Sequence, residues 1–121
     1  MPPTAIATVN KALDILKAEP ERLEMLWNNT RKMKKAFDEM GFNTGNSQTP
    51  IIPIIIGEDL KTFGFWKLLY HHGIFANPVI SPAVEPGQAL IRTSYMASHT
   101  DEELDQVLDI FHKLGKEFGL I

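Results

Sequence analysis

Hydrophobic residues recur at three- and four-residue steps over two stretches in the first third of the chain, which predicts two helices. The first helix is expected over Thr4 to Lys17, with Thr4 as its N-cap. The second has Pro20 in its first turn and ends at Gly41, a left-handed C-cap. Its apolar stripe consists of Leu23, Leu26, Trp27, Thr30, Met33, Phe37 and Met40. The basic run from Arg31 to Lys35 lies on its other side, as in a solvated helix face.

The middle of the chain changes from a polar loop to a short apolar run. Residues Phe42 to Pro50 are rich in Asn, Thr, Gly and Ser, and the run Ile51 to Ile56 has the length of a strand. Pro53 cannot donate to a strand ladder, so this strand is expected at a sheet edge or with a bulge. A third helix is predicted over Asp59 to His72. Its helically spaced apolar residues are Leu60, Phe63, Trp66, Leu69 and Tyr70.

The last third holds two further strands and one helix. A second strand is expected to begin over Ile74 to Ala76, followed by an irregular segment from Asn77 to Gly87 that contains three prolines. Ala89 to Tyr95 forms the third predicted strand. The last helix has a capping box of Thr100 and Glu103 ahead of an apolar stripe. That stripe consists of Leu104, Val107, Leu108, Phe111 and Leu114.

This order predicts an α+β fold, in which two N-terminal helices precede a small βαββα layer. The helices are expected on one face of a short, mainly antiparallel sheet. Residues 1–121 form one predicted domain, with a helical lead-in over 1–41 and an α+β core over 49–121.

Composition narrows the classes of function. The chain has 121 residues, a net charge of -3 and no cysteine, which excludes disulfides, thiolate metal sites and a cysteine nucleophile. No metal site is predicted. The absence of a signal peptide or a membrane-length apolar run, together with the absence of cysteine, predicts residence in the cytoplasm. An acidic balance disfavours a dedicated nucleic-acid-binding domain.

No local catalytic or phosphate-binding motif occurs, so the candidate chemistry depends on single residues. His71 and His72 are adjacent on a helix and cannot form a ligand pair there. His99 precedes the Thr100 cap and is either a local hydrogen-bond partner or a pocket residue. Arg92 lies within a strand. It belongs either to a solvated sheet face or to a two-pronged clamp for a carboxylate or phosphate.

Four segments resemble the C-terminal domain of the α-oxoamine synthases. These segments are residues 49–56, Gly73-Ile74-Phe75, residues 81–93 and Ala97-Ser98-His99-Thr100. The family belongs to the fold-type-I aminotransferase superfamily of pyridoxal 5'-phosphate (PLP) enzymes. It includes glycine C-acetyltransferase, 8-amino-7-oxononanoate synthase and bacterial serine palmitoyltransferase. The Pro2-Pro3 opening also resembles the family's passage from a large to a small domain, so the resemblance covers nearly the whole chain.

The resemblance implies a PLP-dependent acyltransferase that condenses glycine, serine or alanine with an acyl-CoA to give a 2-amino ketone. It places Arg92 where the family binds the amino-acid carboxylate, and it suggests a pocket loop with Ile80, Ser81, Pro82 and His99. It also implies a large PLP-binding domain of the same protein and a homodimer.

The resemblance also implies what this chain lacks. The Schiff-base lysine and the other cofactor-binding residues belong to the family's large domain, and no segment here matches them. We therefore expect the chain to be a piece of a larger enzyme, with no catalytic residue, no cofactor of its own and no activity in isolation.

A different interpretation also fits the order of elements. A free-standing ferredoxin-like module that binds a ligand or RNA would use the basic face from Arg31 to Lys35 and would need no cofactor. The negative net charge and the lack of an aromatic pair on a strand disfavour RNA.

Overall fold

The computed structural model describes residues 1–121, which form four helices and three strands. The helices are α1 (Pro3–Ala18), α2 (Glu21–Met40), α3 (Asp59–His71) and α4 (Asp101–Glu117). The strands are β1 (Ile51–Gly57), β2 (Asn77–Val79) and β3 (Ala89–Ser94). This confirms the predicted α+β class and the order of two helices followed by βαββα.

The three strands form an antiparallel sheet in the order β1-β3-β2. β3 lies in the middle, so Arg92 has Pro53 of β1 on one side and Asn77 of β2 on the other. Pro53 therefore lies in an edge strand, as expected. The register between β1 and β3 also shifts between Ile55 and Gly57, so this edge carries an irregularity as well.

The core fills the space between one face of the sheet and helices α2, α3 and α4. At its centre Phe111 of α4 contacts Phe37, Phe42 and Phe65, with ring centroids 5.0, 5.9 and 5.8 Å away in edge-to-face geometry. Ile52, Ile54 and Ile91 supply the sheet side, and all three are fully buried. Such packing of aromatic edges against ring faces contributes beyond the area buried.

The helix ends show one wrong prediction and two confirmed ones. Thr4 is not an N-cap, because α1 begins one residue earlier and Pro2 occupies that position without a side-chain cap. The Pro2-Pro3 pair explains this, since a fixed φ and a missing N–H suit the start of a helix. Gly41 does end α2 in the left-handed region, at φ 96°. Thr100 and Glu103 do form the complete capping box of α4.

Smaller differences concern Pro20 and the second strand. Pro20 precedes the first residue of α2 rather than lying in its first turn. Ile74 to Ala76 is not a strand, and β2 instead occupies Asn77–Val79, inside the segment predicted to be irregular. Pro78 is tolerated there because β2 is an edge strand, where a missing N–H need not interrupt a ladder.

Two helices expose more apolar surface than their patterns predict. α1 buries no residue, and Ile6, Val9, Leu13 and Leu16 are each roughly half exposed. On α3 the buried residues are Thr62, Phe65 and Leu69, whereas the predicted stripe residues Leu60, Phe63 and Tyr70 are exposed. None of the four helices combines the length and the apolar character needed to cross a membrane.

Candidate functional site

Arg92 projects from the side of the sheet that faces away from the core. Along β3, Ala89, Ile91 and Thr93 are buried and alternate with the more exposed Leu90, Arg92 and Ser94. This is the period-two alternation of a strand with one covered face. Arg92 therefore has a rigid backbone at the centre of the sheet and a side chain directed outward.

The guanidinium of Arg92 forms no ion pair in the structure. The salt bridges present involve Arg22, Lys32, Lys34 and Lys35. Five N–H donors in a planar fork are thus available at one point of an exposed sheet face. That arrangement can bind a carboxylate or a phosphate through two parallel hydrogen bonds.

The proline-rich segment after β2 forms one wall of a groove beside Arg92. The groove has a volume of about 570 Å³ and is lined by residues 77–83 together with Arg92. The backbone N–H of Ala83 donates to the carbonyl of Ile80 at 2.9 Å, which closes a turn in this wall. The structure therefore brings three of the sequence-predicted pocket residues, Ile80, Ser81 and Pro82, together with Arg92.

Asp59, the first residue of α3, connects this wall to the helical layer. Its carboxylate accepts a hydrogen bond from the backbone N–H of Ser81 at 3.4 Å. Sequence reasoning missed this contact, because the two residues are 22 positions apart and lie in elements predicted separately. An acidic residue in the first turn of a helix has an ordinary explanation in the helix dipole, so the sequence gives no signal for a second partner.

His99 lies in a different groove from Arg92. Its Nδ1 accepts a hydrogen bond from the backbone N–H of Met96 at 3.0 Å, and its carbonyl accepts one from Asn29 of α2 at 3.2 Å. His99 is thus both a local hydrogen-bond partner and a groove residue, the two alternatives considered from the sequence. Sequence reasoning missed Asn29, although an Asn within an otherwise good helix sequence is a weak signal of a side-chain role.

This second groove encloses about 320 Å³ between the end of β3, the α3–β2 connection and α4. Tyr95 and Phe111 lie in its apolar wall, and Glu103 of the capping box lies in its polar rim. Burial raises the pKa of the Tyr95 hydroxyl well above its usual range, and a hydrogen bond with Thr93 at 2.7 Å partly opposes this. Tyr95 therefore stays protonated, and its hydroxyl belongs to a hydrogen-bonded chain that ends at the carbonyl of Ile52.

The basic run on α2 is largely neutralised by carboxylates. Lys32 contacts Asp101 and Asp105 of α4 at 3.2 and 2.8 Å, and the hydrogen bond to Asp105 is the main cause of its raised pKa. Lys34 contacts Asp38 at 2.5 Å and, with Thr44, lowers the pKa of that carboxyl. Lys35 and Glu39 form a looser pair at 3.8 Å. A face with this pairing offers little free positive charge for RNA.

Comparison with known proteins shows the same relatives in sequence and in structure. Residues 1–111 match the family described as aminotransferase class I and II. The chain is 47% identical to a serine palmitoyltransferase of Bacteriovorax stolpii and 44% identical to an 8-amino-7-oxononanoate synthase of Symbiobacterium thermophilum, in each case over 99% of its length. It spans only 29% and 31% of those two proteins.

Solved structures give the same result. A serine palmitoyltransferase structure described as holding its PLP internal aldimine superposes on 100% of this chain with a TM-score of 0.92 at 28% identity. The serine palmitoyltransferase of Sphingomonas wittichii does so with a TM-score of 0.90 at 29% identity. The chain covers 31% of each of those structures.

Proposed function

Because this chain belongs to the class I and II aminotransferase family, we propose that it is the C-terminal, substrate-binding domain of a PLP-dependent acyltransferase. The reaction condenses glycine, serine or alanine with an acyl-CoA to give a 2-amino ketone, and it takes place in the cytoplasm. The similarity to enzymes named serine palmitoyltransferase and 8-amino-7-oxononanoate synthase supports this class of reaction. It does not support a free-standing RNA- or ligand-binding module.

The observation that carries the proposal is the unpaired guanidinium of Arg92 at the centre of the sheet face. In this proposal it binds the carboxylate of the amino acid through two parallel hydrogen bonds. Fixing the carboxylate at two points also fixes the rotation of the amino acid about its Cα, and hence which Cα bond is aligned for cleavage. The strand backbone supplies the rigidity that this alignment needs.

The loop wall limits the space beside that carboxylate. Ile80, Ser81 and Pro82 lie with Arg92 around the same groove, so they are placed to contact the substrate next to its carboxylate. His99 contributes from a separate groove and has a positioning role, since its hydrogen bonds connect residues 96–99 to α2.

The residues of this chain do not fit a PLP site. PLP supplies an electron sink for the Cα carbanion when bound. That chemistry needs a lysine for the covalent attachment of the cofactor, and all nine lysines of this chain lie on helices, none of them around the Arg92 groove. We propose that the lysine and the remaining cofactor contacts come from a large domain of the same protein, and that the isolated chain is inactive.

The uncovered stripe of α1 supports such a neighbouring domain. A 16-residue helix with four half-exposed aliphatic side chains and no buried residue lacks a partner within this chain. A helix with a clear apolar stripe normally packs that stripe against another element. We propose that the large domain, in a homodimer, covers it.

Arg92→Lys in the product of the native gene tests the carboxylate clamp. Lysine keeps the charge but loses the planar fork, so we expect kcat/KM for the amino acid to fall roughly tenfold to a hundredfold while the cofactor absorbance stays unchanged. The matched control is Arg31→Lys, because Arg31 is exposed on α2 and donates only to Asn28. The readout is CoA release with glycine, serine and alanine.

Two results would contradict the proposal, and they are distinct. Unchanged kinetics in the Arg92→Lys enzyme would reject Arg92 as the clamp while leaving the reaction in place. Absence of CoA release by the wild-type enzyme, with each of the three amino acids and acyl-CoAs of two to sixteen carbons, would reject the reaction itself.

A further inference from the structure

The outer side of α3 combines exposed apolar side chains with unpaired positive charge. Leu60 is 90% exposed, Phe75 just after the helix is 80% exposed, and Phe63 and Tyr70 are about half exposed. A helix that is apolar on both sides is normally buried on both sides. Here one side reaches the core through Phe65 and its neighbours, and the other side has no cover.

The aromatic rings on this side form a fixed row. Phe63 and Trp66 have ring centroids 5.4 Å apart, Trp66 and Tyr70 are 5.8 Å apart, and Tyr70 and Phe75 are 5.3 Å apart. The indole N–H of Trp66 donates to the carbonyl of Ala76 at 2.9 Å, which holds the row against the α3–β2 connection. The apolar surface is therefore preformed.

The charge of this segment is opposite to that of the whole chain. No aspartate or glutamate occurs between Asp59 and Glu85, although the chain has 15 acidic residues and a net charge of -3. The same segment carries Lys61 and Lys67, and neither takes part in a salt bridge. Its surface therefore suits an anionic partner.

We propose that this face, defined by Leu60, Lys61, Phe63, Lys67, Tyr70 and Phe75, docks on an anionic lipid surface. Tyrosine and tryptophan favour the boundary between lipid headgroups and acyl chains, and lysines beside them interact with anionic headgroups. Symmetric pairing with a second copy fits less well, because it would bring the unpaired lysines of one copy against those of the other.

The position of the face agrees with the proposed site. The buried side of α3 packs toward the inner face of the sheet, whereas Arg92 projects from the outer face. Docking through the exposed side of α3 therefore leaves the Arg92 groove open to small molecules. The lipid contact is independent of the reaction, so it can succeed or fail separately from the proposed function.

The test is cosedimentation of the native gene product with vesicles of 30% phosphatidylglycerol in phosphatidylcholine, and with phosphatidylcholine vesicles alone. We expect binding to the anionic vesicles that weakens as salt is raised. The double variant Leu60→Ser, Phe75→Ser should reduce the partition coefficient roughly tenfold or more, since it removes two large apolar side chains from the contact. Met96→Ser is the matched control, because Met96 is 57% exposed on another surface.

A second pair of variants tests the charge. Lys61→Gln with Lys67→Gln should lower binding to the anionic vesicles roughly tenfold and leave the weak binding to phosphatidylcholine unchanged. The control is Lys113→Gln with Lys116→Gln on α4, two lysines that are also free of salt bridges.

Three outcomes would overturn the proposal. The first is no binding of the native protein to anionic vesicles, the second is equal loss in the test and control variants, and the third is binding that is insensitive to salt. A changed molecular mass of the Leu60→Ser, Phe75→Ser variant in light scattering, without vesicle binding by the native protein, would instead assign the face to protein–protein contact.

Discussion

Helices α3 and α4 contact each other and bury side chains in the same core, yet their sequences differ in how well they predict the buried face. On α4 four of the five predicted stripe residues are buried, and the fifth, Val107, is half-buried. On α3 only Leu69 of the five predicted stripe residues is buried. The difference is that α4 has a polar side and α3 does not. Periodicity identifies the buried face only when the other face is polar.

The largest expected effect comes from comparing a buried phenylalanine of α4 with an exposed one of α3. Phe111→Ala removes a fully buried ring that contacts three others, and it should lower the free energy of unfolding by about 3 to 5 kcal/mol. Phe63→Ala changes a ring that is 46% exposed and should cost less than about 1 kcal/mol. Urea denaturation of both variants measures this difference. Similar losses would mean that the outer side of α3 is packed after all.

The next comparison uses the glycine within each helix. A Cβ on Gly115 of α4 would lie 2.5 Å from Cζ of the buried Phe42, so Gly115→Ala should destabilise by about 1 to 3 kcal/mol despite its better helix propensity. A Cβ on Gly64 of α3 would lie 3.1 Å from the half-buried Phe118. Gly64→Ala should therefore be nearly neutral, because a gain of about 1 kcal/mol in propensity offsets the tight contact. Thermal unfolding distinguishes the two, and a stabilised Gly115→Ala would contradict this account.

The smallest effect concerns the starts of the two helices. Thr100 caps α4 by accepting from the backbone N–H of Glu103 at 3.2 Å, so Thr100→Ala should cost about 1 kcal/mol. Glu58 occupies the same position before α3 without a side-chain cap, and Glu58→Ala should change stability by less than about 0.5 kcal/mol. Chemical denaturation with replicate midpoints resolves a difference of this size. Equal effects would show that the capping box adds nothing.

Much of the fold follows from local signals in the sequence. The capping box at Thr100, the left-handed cap at Gly41 and the edge position of Pro53 each depend on the chemistry of one or two residues. The strand β2 was misplaced because its only support is pairing with β3, and a three-residue segment containing Pro78 has no periodicity of its own.

The candidate site was only partly predictable for the same reason. Arg92 and the loop residues Ile80 to Pro82 are close in the sequence and were named together. Whether they share a groove depends on the pairing of β2 with β3, which a local pattern does not report. The bond between Asp59 and Ser81 and the bonds from Asn29 to residues 96 and 99 connect distant elements. Their role in binding stays a prediction until the Arg92 variants are measured.

The lack of buried residues on α1 has a consequence for hydrogen exchange. A lone 16-residue helix is marginally stable in water, since nucleation is costly and only packing holds most protein helices. In this chain alone, the amide hydrogens of α1 should exchange with solvent far sooner than those of α4, whose apolar side is enclosed. Protection of α1 would then appear only when another surface covers its aliphatic stripe. Its exchange rate is thus a direct reporter of that contact.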